Sequence, residues 1–223
     1  MILLENIDKR YGKKEVFKSF STKFDDNKIT VLMGENGAGK STLLNMITTV
    51  EKPDNGHVLY DGKKMKRHEI RRMVGFIPQE IALFTHMSVV ENIHFFKSLH
   101  KNPISDERIQ SLMDQLYLTD IHQPIEKLSG GTKRKANILI GLLGDPKIIV
   151  LDEPTEGIDI KARFEIHQLL NKLKKNRLLI LTTHHLDEVI NLADHIKVIG
   201  KDPFYQEILT KEGLAFEVLK NSN

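Results

Sequence analysis

Residues 34–41 read G-E-N-G-A-G-K-S, and their types and spacing suit one task, holding a phosphate. Gly34, Gly37 and Gly39 let the backbone wrap an anion without Cβ clashes, and the N–H groups at the helix start that follows point at it. Lys40 has the reach to meet β- and γ-phosphates, and the Ser41 hydroxyl can hold Mg²⁺. The loop as a whole (Gly34, Glu35, Asn36, Gly37, Ala38, Gly39, Lys40, Ser41 and Thr42) is expected to contact a nucleotide. The apolar run 29–33 precedes it and residues 42–47 continue it, which is the strand-to-helix setting a P-loop needs.

The elements around this loop can be read from periodicity. Strands are expected at 2–7, 16–24, 29–33, 58–60 and 74–78, with turns at 11–12, 25–27, 53–56 and 61–62. A helix should run from Ser41 to about residue 48. From 88 to 143 the pattern turns helical, with Ser88, Ser105 and Ser129 placed to cap helices reaching about 100, 117 and 143. Strands at 148–151, 178–182 and 196–199 then alternate with helices at 161–174 and 186–193, which implies a parallel sheet covered on both faces. The fold class is therefore α/β: a P-loop core with a parallel sheet, an N-terminal antiparallel β region and an inserted helical subdomain. We expect one domain over 1–223, with a core of 1–87 and 144–223 and the subdomain at 88–143. The basic run 63–72 reads as a solvated connector, and residues 201–223 as a segment packed on the core in preference to a small partner contact.

Composition narrows the function classes. Lys and Arg number 33 against 30 Asp and Glu, for a net charge of +3. That balance is too slight to imply nucleic acid or an anionic surface. With no cysteine, disulfides and thiolate metal sites are excluded, in keeping with a reducing compartment. The first residues lack the layout of a secretion signal, and no apolar run approaches the roughly 20 residues of a membrane span. We expect a protein soluble by itself.

Kinases, GTPases and many ATPases share the P-loop, so its companions decide. L-S-G-G-T stands at 128–132, K-I-I-V-L-D-E-P at 147–154, E-G-I-D at 156–159 and T-T-H at 182–184. A buried strand ending in two acids delivers both to the carboxyl edge of a sheet, beside the P-loop. Two glycines and a hydroxyl at a helix N-terminus make an anion site. In this order, and with Tyr11 and Gln79, these residues resemble the nucleotide-binding subunit of ABC transporters over almost the whole chain.

That resemblance implies an ATPase using ATP and Mg²⁺. Asp152 would order the metal with Ser41 and Gln79, Glu153 would be the general base, and Lys40, Gln79 and His184 would complete the catalytic set. Tyr11 would stack on adenine. Ser129, Gly130 and Gly131 would meet the γ-phosphate bound by a second ATP-binding subunit in a head-to-tail dimer, and Asp159 would reach across that dimer. His185 is expected to face solvent. Transmembrane permease subunits would read the cargo, placing the chain in the cytoplasm on the inner face of the cell membrane, with no nucleic acid bound directly. Lys133-Arg134-Lys135 and T-T-H-H-L-D-E look most like exporter-type cassettes.

Three residues depart from the family pattern: Thr132 where glutamine is usual, Glu156 where a small residue is usual, and Asn27 where glycine is common. Asparagine tolerates left-handed backbone at little cost. Two rival readings are a soluble ABC-type ATPase acting on ribosomes or DNA, and a nucleotide sensor that no longer hydrolyses. One P-loop and a short segment without heptads between P-loop and signature weigh against the first, and intact Lys40, Asp152, Glu153 and His184 against the second.

Overall fold

Short runs that are almost wholly apolar cannot serve a half-exposed strand, because alternate side chains would face water. β3 (Ile29–Met33), β6 (Ile148–Leu151) and β7 (Leu178–Thr182) are such runs, and every residue in them is buried. In the computed structural model, which describes residues 1–219, they form the middle of a six-stranded sheet. Its order is β5 (Val74–Ile77), β6, β7, β3, β8 (His195–Ile199), β9 (Glu217–Leu219), and all its pairings are parallel. The period of two sorts the side chains between two cores. Ile29, Val31, Met33, Ile149, Leu151, Leu179 and Leu181 enter one, while Leu32, Ile148, Val150, Leu178 and Ile180 enter the other.

The second core is closed by β1 (Ile2–Tyr11), β2 (Lys14–Phe24) and β4 (Asn55–Tyr60), an antiparallel sheet ordered β2-β1-β4, together with α1 (Lys40–Ile47). The first takes its cover from α3 (Val89–Ser98), α4 (Asp106–Gln115), α5 (Gly130–Leu142) and α6 (Ile160–Leu173). The three expected serine caps all form. Ser88, Ser105 and Ser129 accept from the N–H groups of Glu91, Arg108 and Thr132 at 3.2, 3.3 and 3.2 Å. Asn27 takes the left-handed backbone expected of it, with φ 55°.

Two expectations need correction. The basic run 63–72 is not a plain connector, for α2 (Arg67–Met73) forms within it. Ile70 is its one buried residue, Met73 packs beside it, and its charges face water, so a charge run hid a helix with few apolar contacts. β1 continues past residue 7 to Tyr11. A bulge carried by Asn6, φ 50°, breaks the register near Ile7, and with it the alternation on which the shorter reading rested. The segment from 201 packs as expected, through α8 (Phe204–Lys211) and β9, with Leu209 and Leu219 buried. Residues 220–223 of it lie outside the described residues. Among the described residues no helix is long and apolar enough to cross a membrane.

Between α5 and α6, Lys135 and Glu165 form an ion pair with both side chains buried. Removing one partner strands the other charge, which costs about 3–5 kcal/mol, whereas replacing both by apolar residues is close to neutral. Glu165→Gln should therefore lower the urea unfolding midpoint sharply. The double variant Lys135→Met/Glu165→Leu should recover most of the loss.

Candidate nucleotide site

Parallel strands end on the same edge, so whatever follows β3, β5, β6 and β7 is gathered there. The P-loop follows β3, Gln79 follows β5, Asp152 and Glu153 follow β6, and His184 follows β7. Between them lies a cleft of about 660 Å³. Tyr11, Asn36, Gly37, Gly39, Lys40, Ser41, Thr42, Gln79, Asp152, Glu153 and His184 all line it. Lys14, Val16, Glu156 and Tyr205 complete its wall, and of these only Glu156 stands out in the sequence, as a departure from a family pattern.

The loop is shaped by close approach. A Cβ on Gly34 would lie 1.9 Å from the Ile199 carbonyl oxygen, and one on Gly39, at φ 108°, 2.9 Å from the Phe17 ring. Lys40 Nζ donates to the carbonyls of Gly34 and Glu35 at 2.6 and 3.1 Å. Burial lowers the Lys40 pKa, against the opposing pull of Glu153, Asp152 and Glu35. The Glu35 carboxylate turns from the cleft and accepts the backbone N–H groups of Lys201 and Asp202 at 2.9 and 3.3 Å. Burial works to raise its pKa, but those N–H groups and Lys40 bring it below the ordinary value.

The two acids are held differently. Asp152 accepts the Thr182 hydroxyl proton at 2.6 Å, and the Thr182 hydroxyl oxygen accepts the Glu153 N–H at 2.9 Å. Glu153 has φ 46°, a conformation few residues other than glycine adopt. Burial pushes its carboxyl above the ordinary value, although His184 and Lys40 oppose the shift. Its Oε2 lies 3.1 Å from His184 Nδ1. His185 does not face solvent freely: it is half-buried, its ring 4.2 Å from that of His184. Helix α7 (Leu186–Leu192) begins directly after it and fixes it against its neighbour.

Tyr11 stands at the cleft's outer wall, its hydroxyl bonded to Glu51 and its ring under Lys9 Nζ at 5.1 Å. Gly34, Glu35 and Ala38 do not line the cleft, and neither do Ser129, Gly130, Gly131 and Asp159. Ser129 and Gly130 are exposed at the start of α5, and Asp159 caps α6 through the Ala162 N–H at 2.9 Å. Ser41, Gln79 and Asp152 present hydroxyl, amide and carboxylate oxygens to one cleft, the hard donor set that suits Mg²⁺.

Sequence reasoning took Arg134 only as part of a basic triplet. It is 3% exposed and donates to the carbonyls of Pro78, Gln79 and Glu153, at 2.8, 2.5 and 3.3 Å. One guanidinium thus ties the segment after β5 to the segment after β6. The signal was present, since a long cation on a helix beside two sheet-edge loops can reach both, but no spacing rule points to it.

The ABC transporter family matches this chain over residues 17–156. The chain belongs to the ABC transporter family. Cassettes of that family are ATPases that drive transport. Retinal-specific phospholipid-transporting ATPase ABCA4 of Bos taurus is 37% identical over 208 residues, 91% of this cassette and 9% of its own length. Phospholipid-transporting ATPase ABCA3 of Rattus norvegicus is 37% identical over 181 residues, 79% of this cassette and 11% of its own length. The cassette therefore spans about a tenth of these curated relatives. Among solved structures, the dimeric cassette MJ0796 in a post-hydrolysis state, bound to ADP and Pi, matches with a TM-score of 0.78 at 26% identity. That match covers 89% of this cassette and 94% of MJ0796. The two curated relatives are named as phospholipid-transporting ATPases.

Arg134→Met would leave buried carbonyls without their donor, at about 1–3 kcal/mol for each group stranded. The expected result is a lower unfolding midpoint, with faster hydrogen exchange in the segments around Gln79 and Glu153.

Proposed function

We propose that this cassette binds ATP with Mg²⁺, hydrolyses it, and thereby powers substrate movement, in the export direction, through separate transmembrane subunits. The observation that carries the hydrolytic half is Glu153: a partly buried carboxylate in strained backbone, at the mouth of the phosphate loop and 3.1 Å from His184. A base must lie within reach of the water it activates, and backbone strain held against its cost marks positions where geometry matters.

In this reading the P-loop amides and Lys40 hold the β- and γ-phosphates, which requires Lys40 to leave the carbonyls of Gly34 and Glu35. Ser41, Asp152 and Gln79 would hold Mg²⁺, which when bound neutralises charge on the phosphate oxygens. Glu153 takes the proton of the attacking water, and His184 fixes the γ-phosphate against it. Tyr11 stacks on the adenine, trading its contact with Lys9 for a flat π-face. Most of the acceleration comes from fixed dipoles and charges aimed at the phosphoryl group.

Ser129, Gly130, Gly131 and Asp159 lie outside the cleft of their own chain, which supports their use by a second cassette. The dimeric MJ0796 structures support the same arrangement. Residues 88–143 would form the inserted helical subdomain, and with the segment around Gln79 they would dock the membrane subunits, on the inner face of the cell membrane.

Glu153→Gln should cut turnover by about 10²–10⁴-fold while ATP binding survives. With ATP and Mg²⁺ it should also move the chain from monomer to dimer in size-exclusion chromatography, and adding Ser129→Arg should abolish that move. Turnover that persists in Glu153→Gln would defeat the assignment of the base.

The raised pKa of Glu153 fixes the sign of the pH response. A base works only when deprotonated, so turnover should fall as pH drops through a value above the ordinary carboxylate range. A pH–rate profile whose acid limb sits at or below that range would contradict the reading.

A further inference from the structure

The loops after β6 and β7 bring together three groups that phosphate chemistry does not call for in this combination. Glu156 Oε2 lies 3.2 Å from His184 Nε2 and 3.5 Å from His185 Nε2. One donor atom from each of the three residues falls within 4.8 Å of the other two. We propose that Glu156, His184 and His185 form a binding site for a first-row transition-metal cation of the zinc type, and that filling it stops turnover.

Four features of the geometry carry this. Zinc takes imidazole nitrogen and carboxylate oxygen at about 2.0–2.2 Å in a tetrahedron, which puts neighbouring donors about 3.3 Å apart. The two Glu–His separations already bracket that value. His184 is also oriented as a metal-bound histidine is: its Nδ1 faces the Glu153 carboxylate at 3.1 Å, leaving Nε2 for the cation. A ligating imidazole nearly always gives its other nitrogen to such an outer carboxylate.

His185 Nε2 is shielded from solvent and makes no hydrogen bond, its nearest polar neighbour being the Glu156 carboxylate at 3.5 Å, and a buried polar atom left without a hydrogen bond is uncommon. A cation at this point would supply the partner. The His185 backbone is itself held, since its N–H donates to the Thr183 hydroxyl at 3.0 Å. Finally, two nitrogens and one oxygen suit zinc, cobalt, nickel or copper, whereas Mg²⁺ and Ca²⁺ prefer oxygen alone. Three protein ligands leave the fourth position open to water, and both Glu156 and His184 reach solvent.

Binding would engage both ring nitrogens of His184, Nε2 with the cation and Nδ1 with Glu153. With its Nε2 on the cation, His184 could no longer meet a γ-phosphate and fix it against the water that Glu153 activates. This inhibitory half rests on the roles proposed above for His184 and Glu153; the binding half does not.

The test uses tag-free protein stripped with chelator and kept without nucleotide. Zn²⁺ is titrated in competition with a chromogenic chelator, and Co²⁺ is titrated while the visible absorption of a tetrahedral site is followed. We expect one cation per chain, with affinity reduced at least about tenfold in His185→Gln and in Glu156→Gln. No binding, or binding unchanged in both variants, would overturn the site. Turnover of Mg-ATP is then measured with free Zn²⁺ raised through the measured range. It should be lost in the native chain and retained in His185→Gln, whose turnover without zinc also shows that it has folded. A bound cation that leaves turnover intact would keep the site and refute the inhibition.

Discussion

The Thr182 hydroxyl is the point from which the acidic edge of the sheet is hung. β6 and β7 run parallel with Leu151 opposite Leu181, so the first residues beyond that pair, Asp152 and Thr182, come level at the sheet edge. A hydroxyl has one proton and two lone pairs, and Thr182 uses both kinds, giving to Asp152 and receiving from the Glu153 N–H. The first bond fixes how the Asp152 carboxylate faces the cleft. The second helps to hold the chain in the left-handed turn that swings Glu153 inward. A non-glycine residue in that region costs of order 1–3 kcal/mol, and it persists only where neighbours over-determine it. Here the neighbours are that hydroxyl and Arg134, which grips the Glu153 carbonyl from the other side.

Burial acts on both signs of charge in the same cleft. It lowers Lys40 and raises Glu153, so each is pressed towards its neutral form while the other resists. Such a pair is poised for a multiply charged anion, which would stabilise the ammonium and change the field at the carboxylate. Lys40 meanwhile satisfies its donors on its own loop. Lys40 thus ties the P-loop to itself, and on the proposed reading a phosphate need only exchange one set of oxygens for another. That is preorganisation in its literal sense: the dipoles are in place before the charge arrives.

Where the physics is local, the sequence could be read. Glycines at 34, 37 and 39, all at positive φ, and two acids after an apolar run can be placed from their own segments. The three serine caps and the buried strands followed from hydrogen-bond accounting and periodicity alone. What was lost lay where local and tertiary signals disagree. The bulge at Asn6 broke an alternation that the strand itself survived. α2 has one buried anchor, Ile70, too few for a period to show. Arg134 was hidden for a different reason, since its partners are carbonyls, which have no side-chain signature. His185 is expected at the surface, but its ring lies against that of His184, a contact between neighbours that no periodicity reveals.

The same blindness applies to the phosphate loop itself, whose eight residues do not contain all of its constraints. The Glu35 carboxylate accepts from the N–H groups of Lys201 and Asp202, and a Cβ on Gly200 would lie 2.2 Å from that carboxylate. Gly200, at φ 112°, is therefore required as much by Glu35 as by its own turn. Gly34 in turn is required by the Ile199 carbonyl. These contacts run in both directions between the loop after β3 and the end of β8, its neighbour in the sheet. The chain following β8 then supplies Tyr205 to the cleft wall. A stretch that reads as packing alone thus sets the outer boundary of the nucleotide cleft. The shape of the loop is fixed by strand order, because only the parallel pairing of β3 with β8 brings residues 199–202 to it.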